Sequence, residues 1–354
     1  MKTKYLKLFF LAFLCCLNVI ALNLVSANTL STGGEHILGS SECLDQSFSS
    51  ALTVEEADDL LSLGSQCHSE RHYRVAQSAW QAALEIYEAV GDVPGQITIL
   101  INLGNLNQEL GNYSHSVDDL QKALSLLEGY DNNLVRAQIL SYLSRTLSML
   151  GQAEEANQLL LEALPLVKTT SNPAEEVRIL ELLGASYLNL RSYREANYYY
   201  QRGLEIARQS ENDLLIASLL NSIAFFDQTQ DNTEAAIEKF KQSLNIILIH
   251  GIKEHEQSLL DNLCLAYLEL NDITTALEYC LDSLDIAQRL GNLSRLSRAF
   301  NNLGFVYFKS GNLEEAETKV TEAIAILEIL FKNIADDPDS QMTLGDTLIS
   351  YNLL

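Results

Sequence analysis

The stretch NNLGFVYFKSGNLEEAETKV, Asn301–Val320, decides how the rest of the chain is read. Gly304 stands in the middle of an apolar run, the pattern breaks at Ser310-Gly311-Asn312, and a second apolar series follows Glu314 and Glu315. A glycine inside a helix costs about 1 kcal/mol relative to alanine, so its place there needs a packing reason. Breaks of the same kind fall at Arg71, Gly111, Gly151, Arg191, Asp231, Asn271 and Gly311, each forty residues from the last. A fixed period of this size is the mark of a stacked repeat array.

The rest of each unit falls into columns. Leu63, Leu103, Leu143, Leu183, Ile223, Leu263 and Leu303 form one apolar column. The next position is small: Gly64, Gly104, Ser144, Gly184, Ala224, Cys264 and Gly304. Beyond the break, a second small column runs from Ala76 to Ala316. The bulky column is Trp80, Leu120, Leu160, Tyr200, Phe240, Cys280 and Val320, and a third small column runs from Ala83 to Ala323. Spacings of three and four put these columns on one face of each helix. The glycine lets two antiparallel helices approach closely, and the bulky column fills the space beside it.

These residues resemble the tetratricopeptide repeat (TPR) family, with Leu-Gly, an aromatic three residues on (Tyr187, Tyr267, Tyr307), and the Ala, bulky residue and Ala of the second helix. The likeness spans residues 56–336. It implies an all-α fold, a right-handed α-α superhelical solenoid of seven TPR-like hairpins. The unit is longer than the usual thirty-four or so residues, and the Pro that commonly ends the second helix is missing. The long variant is similar to repeats in kinesin light chains, Pins-type adaptors and bacterial regulators.

Composition sets the broad class. Of 354 residues, 47% are hydrophobic and 20% charged, enough apolar surface for a large core and too little charge for wholesale disorder. The formal charge of −24 repels phosphate backbones and anionic lipid, which disfavours nucleic acid and membrane surfaces as partners. Residues 1–27 read as a secretory signal: Lys2, Lys4 and Lys7 precede the apolar run Leu8–Leu22, and Val25-Ser26-Ala27 offers a cleavage site. The expected location is the periplasm or extracellular space, with no membrane contact after cleavage. An uncleaved anchor is the alternative. Residues 28–55, rich in Ser, Gly and Thr, read as a flexible lead-in.

Residues 337–354 read as a capping helix. Asp346-Thr347 and Tyr351–Leu354 resemble the segment joining long repeats to the CHAT domain, a caspase-like protease module of bacterial proteins.

Motifs that carry chemistry are scarce. CHSERH places Cys67, His68 and His72 close together, but the Glu spacing and the turn between the histidines do not fit a zinc-protease helix. No phosphate loop, nucleophile elbow or paired-carboxylate motif stands out, so the chain is not expected to be an enzyme or to use a cofactor. Cys264 and Cys280 are expected to be buried apolar fillers. Cys43 and Cys67 are open either to a disulfide or to two thiols. Tyr198–Tyr200 read as packing or as an aromatic docking patch.

The non-core residues just before each Leu-Gly pair point to binding. Asn102, Asn221, Asn262, Asn301 and Asn302, with Asp261 beside them, supply a donor and an acceptor each, suited to the backbone of an extended peptide. Asn102, Asn262 and Asn302 match the column that holds cargo peptides in kinesin-light-chain-like repeats, so the resemblance implies a peptide or protein partner on the concave face. Arg178 and Arg298 begin their first helices, with Arg145 and Lys309 later, and suit acidic groups on a ligand. A merely hydrated face is the alternative for these residues. The expected role is a scaffold or adaptor, with the regulatory arm of a CHAT-type protease as the other reading.

Overall fold

The computed structural model describes residues 53–70 and 72–335. The signal segment (1–27), most of the lead-in (28–55), Arg71, any Cys43–Cys67 pairing and the tail with its CHAT-like motif (337–354) lie outside the described residues. Among the described residues, fourteen α-helices pair as seven hairpins: α1 (Val54–Ser69) with α2 (Tyr73–Val90), α3 (Val93–Glu109) with α4 (Tyr113–Leu126), and α5 (Asn133–Met149) with α6 (Ala153–Lys168). They continue with α7 (Pro173–Asn189) and α8 (Tyr193–Gln209), α9 (Asp213–Thr229) and α10 (Thr233–His250), α11 (Lys253–Glu269) and α12 (Ile273–Leu290), and α13 (Leu293–Ser310) and α14 (Leu313–Ala335).

The described residues divide into two compact units, one ending at Leu182 and the other beginning at Leu183. In the first, Trp80, Ile99 and Leu106 belong to one apolar cluster and Leu120, Ile139 and Leu147 to another. In the second, Phe240, Leu259 and Leu263 pack together, and Cys264, Cys280 and Leu303 form a neighbouring cluster.

The small-to-bulky contact expected from the columns is present. A Cβ placed on Gly64 would lie 2.4 Å from the Trp80 ring, one on Gly104 2.7 Å from Leu120, one on Gly184 2.5 Å from Tyr200, and one on Gly304 2.7 Å from Val320. Each glycine faces the residue sixteen positions later, across the hairpin.

The turns repeat as faithfully as the core. Within hairpins, Gly111, Gly151, Arg191, Asp231, Asn271 and Gly311 all take a left-handed backbone, with φ from 56° to 82°. Gly91, Ser171, Glu211, Gly251 and Gly291 do the same between hairpins. A left-handed residue after a helix lets the last carbonyls find donors, and glycine takes that conformation without a Cβ clash. The register breaks once, near Asp131. There α4 stops early, a 3-10 turn follows at Leu127–Gly129, and the Asn132 side chain caps α5 by accepting from the Val135 amide at 3.1 Å.

One expectation is corrected. Cys264 and Cys280 form a disulfide, with Cα atoms 5.3 Å apart. Reading them only as buried apolar fillers overlooks the sixteen-residue offset that brings the small and bulky columns into contact. Where both members are cysteine, the packing contact becomes a cross-link.

Two measurements follow. Gly304→Leu should lower stability by about 2–3 kcal/mol through overpacking against Val320, seen as an earlier urea midpoint; an unchanged midpoint would refute the hairpin register. Reducing the Cys264–Cys280 bond should cost about 3 kcal/mol for a loop of this length. Thiol titration of the denatured, unreduced chain should detect neither cysteine.

Candidate functional site

The first helix of each hairpin carries polar residues just ahead of its Leu-Gly pair, and consecutive first helices join through them. In the second unit Asn262 on α11 donates from Nδ2 to Oδ1 of Asn221 on α9 at 3.0 Å. Asn302 on α13 donates from Nδ2 to Oδ1 of Asp261 at 3.1 Å. Asp261 also accepts from Ser283 Oγ at 2.6 Å and from Gln257 Nε2 at 3.0 Å. Arg295 closes the network, its Nη1 donating to Gln257 Oε1 at 2.7 Å and to the Glu254 carbonyl at 2.9 Å.

Burial sorts the expected residues. Asn302 is 1% exposed and Asp261 2%, whereas Asn262 and Asn301 reach 8% and 7%. Asn221 and Arg298 are half-buried, and Lys309 is exposed at the end of α13. The Asn221–Asn262 pair therefore lies nearer solvent than Asn302, whose amide nitrogen is held by Asp261. Among the described residues, the Asn221 amide nitrogen and the Asn262 oxygen make no hydrogen bond within the chain. Burial pushes the Asp261 carboxyl above the usual carboxylate range, against the opposing pull of Arg298, the Ser283 and Asn302 hydrogen bonds, and Arg295.

The first unit is built differently. Asn102 is half-buried and has no hydrogen-bond partner among the described residues. Forty residues on, its column holds Tyr142, whose ring is flanked by two guanidinium groups. Arg145 lies 5.4 Å from the ring centroid and Arg178 4.9 Å. Arg145 donates to Asn105 Oδ1 at 2.9 Å and to Gln108 Oε1. Arg178 pairs with Glu175 and donates to Ser141 Oγ at 2.5 Å.

His68, in the last turn of α1, contacts Glu109 Oε2 at 3.0 Å and packs against the Tyr73 and Trp80 rings, while Cys67 is buried. No group of three or more His, Cys, Asp or Glu side chains suited to a metal converges among the described residues. No described helix is long and apolar enough to cross a membrane.

The three tyrosines part company. Tyr200 is in the core, Tyr199 stacks on Tyr187 with centroids 5.3 Å apart, and Tyr198 meets Tyr199 edge-on while staying 55% exposed. The same stack recurs eighty residues later as Tyr267 on Tyr279, with the Lys241 ammonium over Tyr267.

Tyr142, Gln108 and Ser283 were missed as site residues from the sequence. Tyr142 carried a signal, since it occupies the Asn102 column; Ser283 did not, because it lies on a second helix and reaches Asp261 only through the fold.

Sequence profiles described as tetratricopeptide repeat match residues 59–129, 136–173 and 256–329, together more than half of the chain. The chain belongs to the tetratricopeptide repeat family. No curated protein matches it in sequence. Among solved structures it is similar to apo RapI at 17% identity and a TM-score of 0.58, covering 78% of this chain and 99% of that one. A Rap protein complexed with Competence and Sporulation Factor matches at 13% identity and a TM-score of 0.54, over 79% and 96% of the two chains. A signal transduction ATPase with numerous domains, with a tetratricopeptide repeat sensor, from Pyrococcus horikoshii matches at 19% and 0.58. That match covers 84% of this chain and 47% of the other. At such identities the likeness is one of fold.

Asp261 should leave a mark on stability. Its raised carboxyl means that the folded chain holds this proton more tightly than the unfolded chain, where an aspartate titrates near 3.9. The stability it supports is therefore present at low pH and lost as pH rises from about 4 through the folded-state value. Urea midpoints measured across that range should fall more steeply for the native chain than for Asp261→Asn. Parallel profiles would show that the buried carboxylate does not titrate in this way.

Proposed function

We propose that the chain is an exported scaffold that binds a peptide or protein segment along the face formed by the first helices of its hairpins. The observation that carries this reading is the Asn221–Asn262 pair. Each side chain gives one amide group to the other, leaving one donor and one acceptor without a partner among the described residues, which matches the carbonyl and N–H of an extended backbone. Asn102, Arg178 and Arg298 are half-buried and are assigned as direct contacts. Asn301 is as exposed as Asn262 and is assigned with it, whereas Asn302 lies deeper and acts by holding Asp261 in place. Such a ladder grips main chain and leaves side-chain selectivity to neighbouring residues. The Rap protein of similar fold complexed with Competence and Sporulation Factor supports a peptide or protein as the partner class. The reading requires no cofactor, covalent step, nucleic acid or membrane.

Export rests on the N-terminal signal pattern. It gains support from the Cys264–Cys280 disulfide, because such bonds persist in oxidising compartments and are rare where thiols are kept reduced.

The test is a random dodecapeptide display selection against the full chain. Enriched peptides should bind Asn221→Ala/Asn262→Ala at least tenfold more weakly, about 1.4 kcal/mol, while its circular dichroism stays native. Failure to enrich any peptide, or equal binding to both proteins, would overturn the assignment of this face.

A further inference from the structure

We infer that Arg145, Arg178 and Tyr142, with Gln108, form a subsite for a single carboxylate on the first-helix face of the first unit, fitted to an acidic side chain of a bound peptide. This deepens the peptide-binding reading and rests on it for the kind of ligand, though the subsite lies in the other unit from the Asn221–Asn262 pair.

Two guanidinium groups flank one tyrosine ring, a concentration of positive charge in a chain of net charge −24. Each positive charge in a partly desolvated place calls for a counter-charge. Arg178 has one in Glu175, both of whose carboxylate oxygens it engages. Arg145 has none: among the described residues it forms no ion pair, and its hydrogen-bond acceptors are the neutral amide oxygens of Asn105 and Gln108. Glu109, the acid whose charge Arg145 feels, is occupied on one oxygen by Asn105 and on the other by His68. Burial and the neighbouring Arg178 lower the Arg145 pKa, against the opposing pull of Tyr142 and Glu109.

A second, independent observation points the same way. Gln108 is 9% exposed, its oxygen accepts from Arg145, and its Nε2 group is buried with no hydrogen-bond partner. Arg145 Nη1 and the Tyr142 hydroxyl likewise have no partner among the described residues. The cluster thus offers several donors and lacks an acceptor, and a buried donor such as Gln108 Nε2 is ordinarily satisfied. An anion with two oxygens supplies both the missing acceptor and the missing charge, and a guanidinium fork suits that geometry. A phosphate presents similar oxygens; a carboxylate is favoured because a single uncompensated guanidinium calls for a single negative charge.

The experiment follows the arginine Nε–Hε resonances of the full chain during titration with three acetylated tripeptide amides: tri-glutamate, tri-glutamine and one carrying a phosphoserine between glutamines. Tri-glutamate should shift the Arg145 and Arg178 resonances and bind at least tenfold tighter than tri-glutamine. Arg145→Gln should abolish the difference while the hairpins keep their helicity. If that variant unfolds, Tyr142→Phe and Arg178→Gln serve in its place, each expected to weaken tri-glutamate binding severalfold. Equal binding of tri-glutamine, no binding by any peptide, or tri-glutamate binding that survives all three substitutions would overturn the subsite. Tenfold tighter binding of the phosphoserine peptide would overturn the carboxylate assignment. The asparagine face is read separately, through binding of the selected dodecapeptides to Asn221→Ala/Asn262→Ala, so its failure and that of the arginine subsite are told apart.

Discussion

The contact on which the structure depends is a small residue of one helix seated against a bulky residue of its partner, sixteen positions later. A Cβ on Gly184 would come within 2.5 Å of the Tyr200 ring, and Tyr200 is 2% exposed. Close approach of this kind is what allows the apolar columns on both helices to interlock at the density of a protein interior. The cost of a helical glycine is offset by the surface its partner buries, and the same exchange recurs in successive hairpins. Where the pair is Cys264 and Cys280, the geometry that serves packing elsewhere serves a covalent bond.

Regular packing frees the remaining faces of the first helices. In the second unit they are tied together by amides and one buried carboxylate, with Asp261 receiving bonds from Gln257, Ser283 and Asn302. In the first unit Tyr142 takes the column position that Asn262 and Asn302 hold in the second, with Arg145 and Arg178 against its ring, so one scaffold presents two kinds of polar surface. A repeat array can vary these positions independently because each hairpin depends mainly on its neighbours.

Left-handed residues recur at forty-residue intervals in both sets of turns, interrupted near Asp131, and five are not glycine: Ser171, Arg191, Glu211, Asp231 and Asn271. The helix ends on either side are fixed by the hairpin packing, so the turn conformation is imposed even on residues that would not choose it. At Asp131, where α4 ends early, a 3-10 turn takes up the difference.

The repeat period, the seven hairpins, the column identities and the reason for the mid-helix glycine were legible in the sequence. Each depends on local periodicity, and seven repetitions expose a pattern that one helix would hide. The candidate binding residues were legible only as positions. That Asn302 sits beneath the surface on Asp261 while Asn221 and Asn262 pair nearer solvent was decided by how successive first helices approach, and spacing along the chain does not encode that depth. The disulfide and the Arg145–Tyr142–Arg178 cluster belong to the same class. Cys264 and Cys280 lie sixteen residues apart and Arg178 thirty-six from Tyr142, and packing alone brings two thiols to bonding distance or a second guanidinium to a ring that Arg145 already reaches along its own helix.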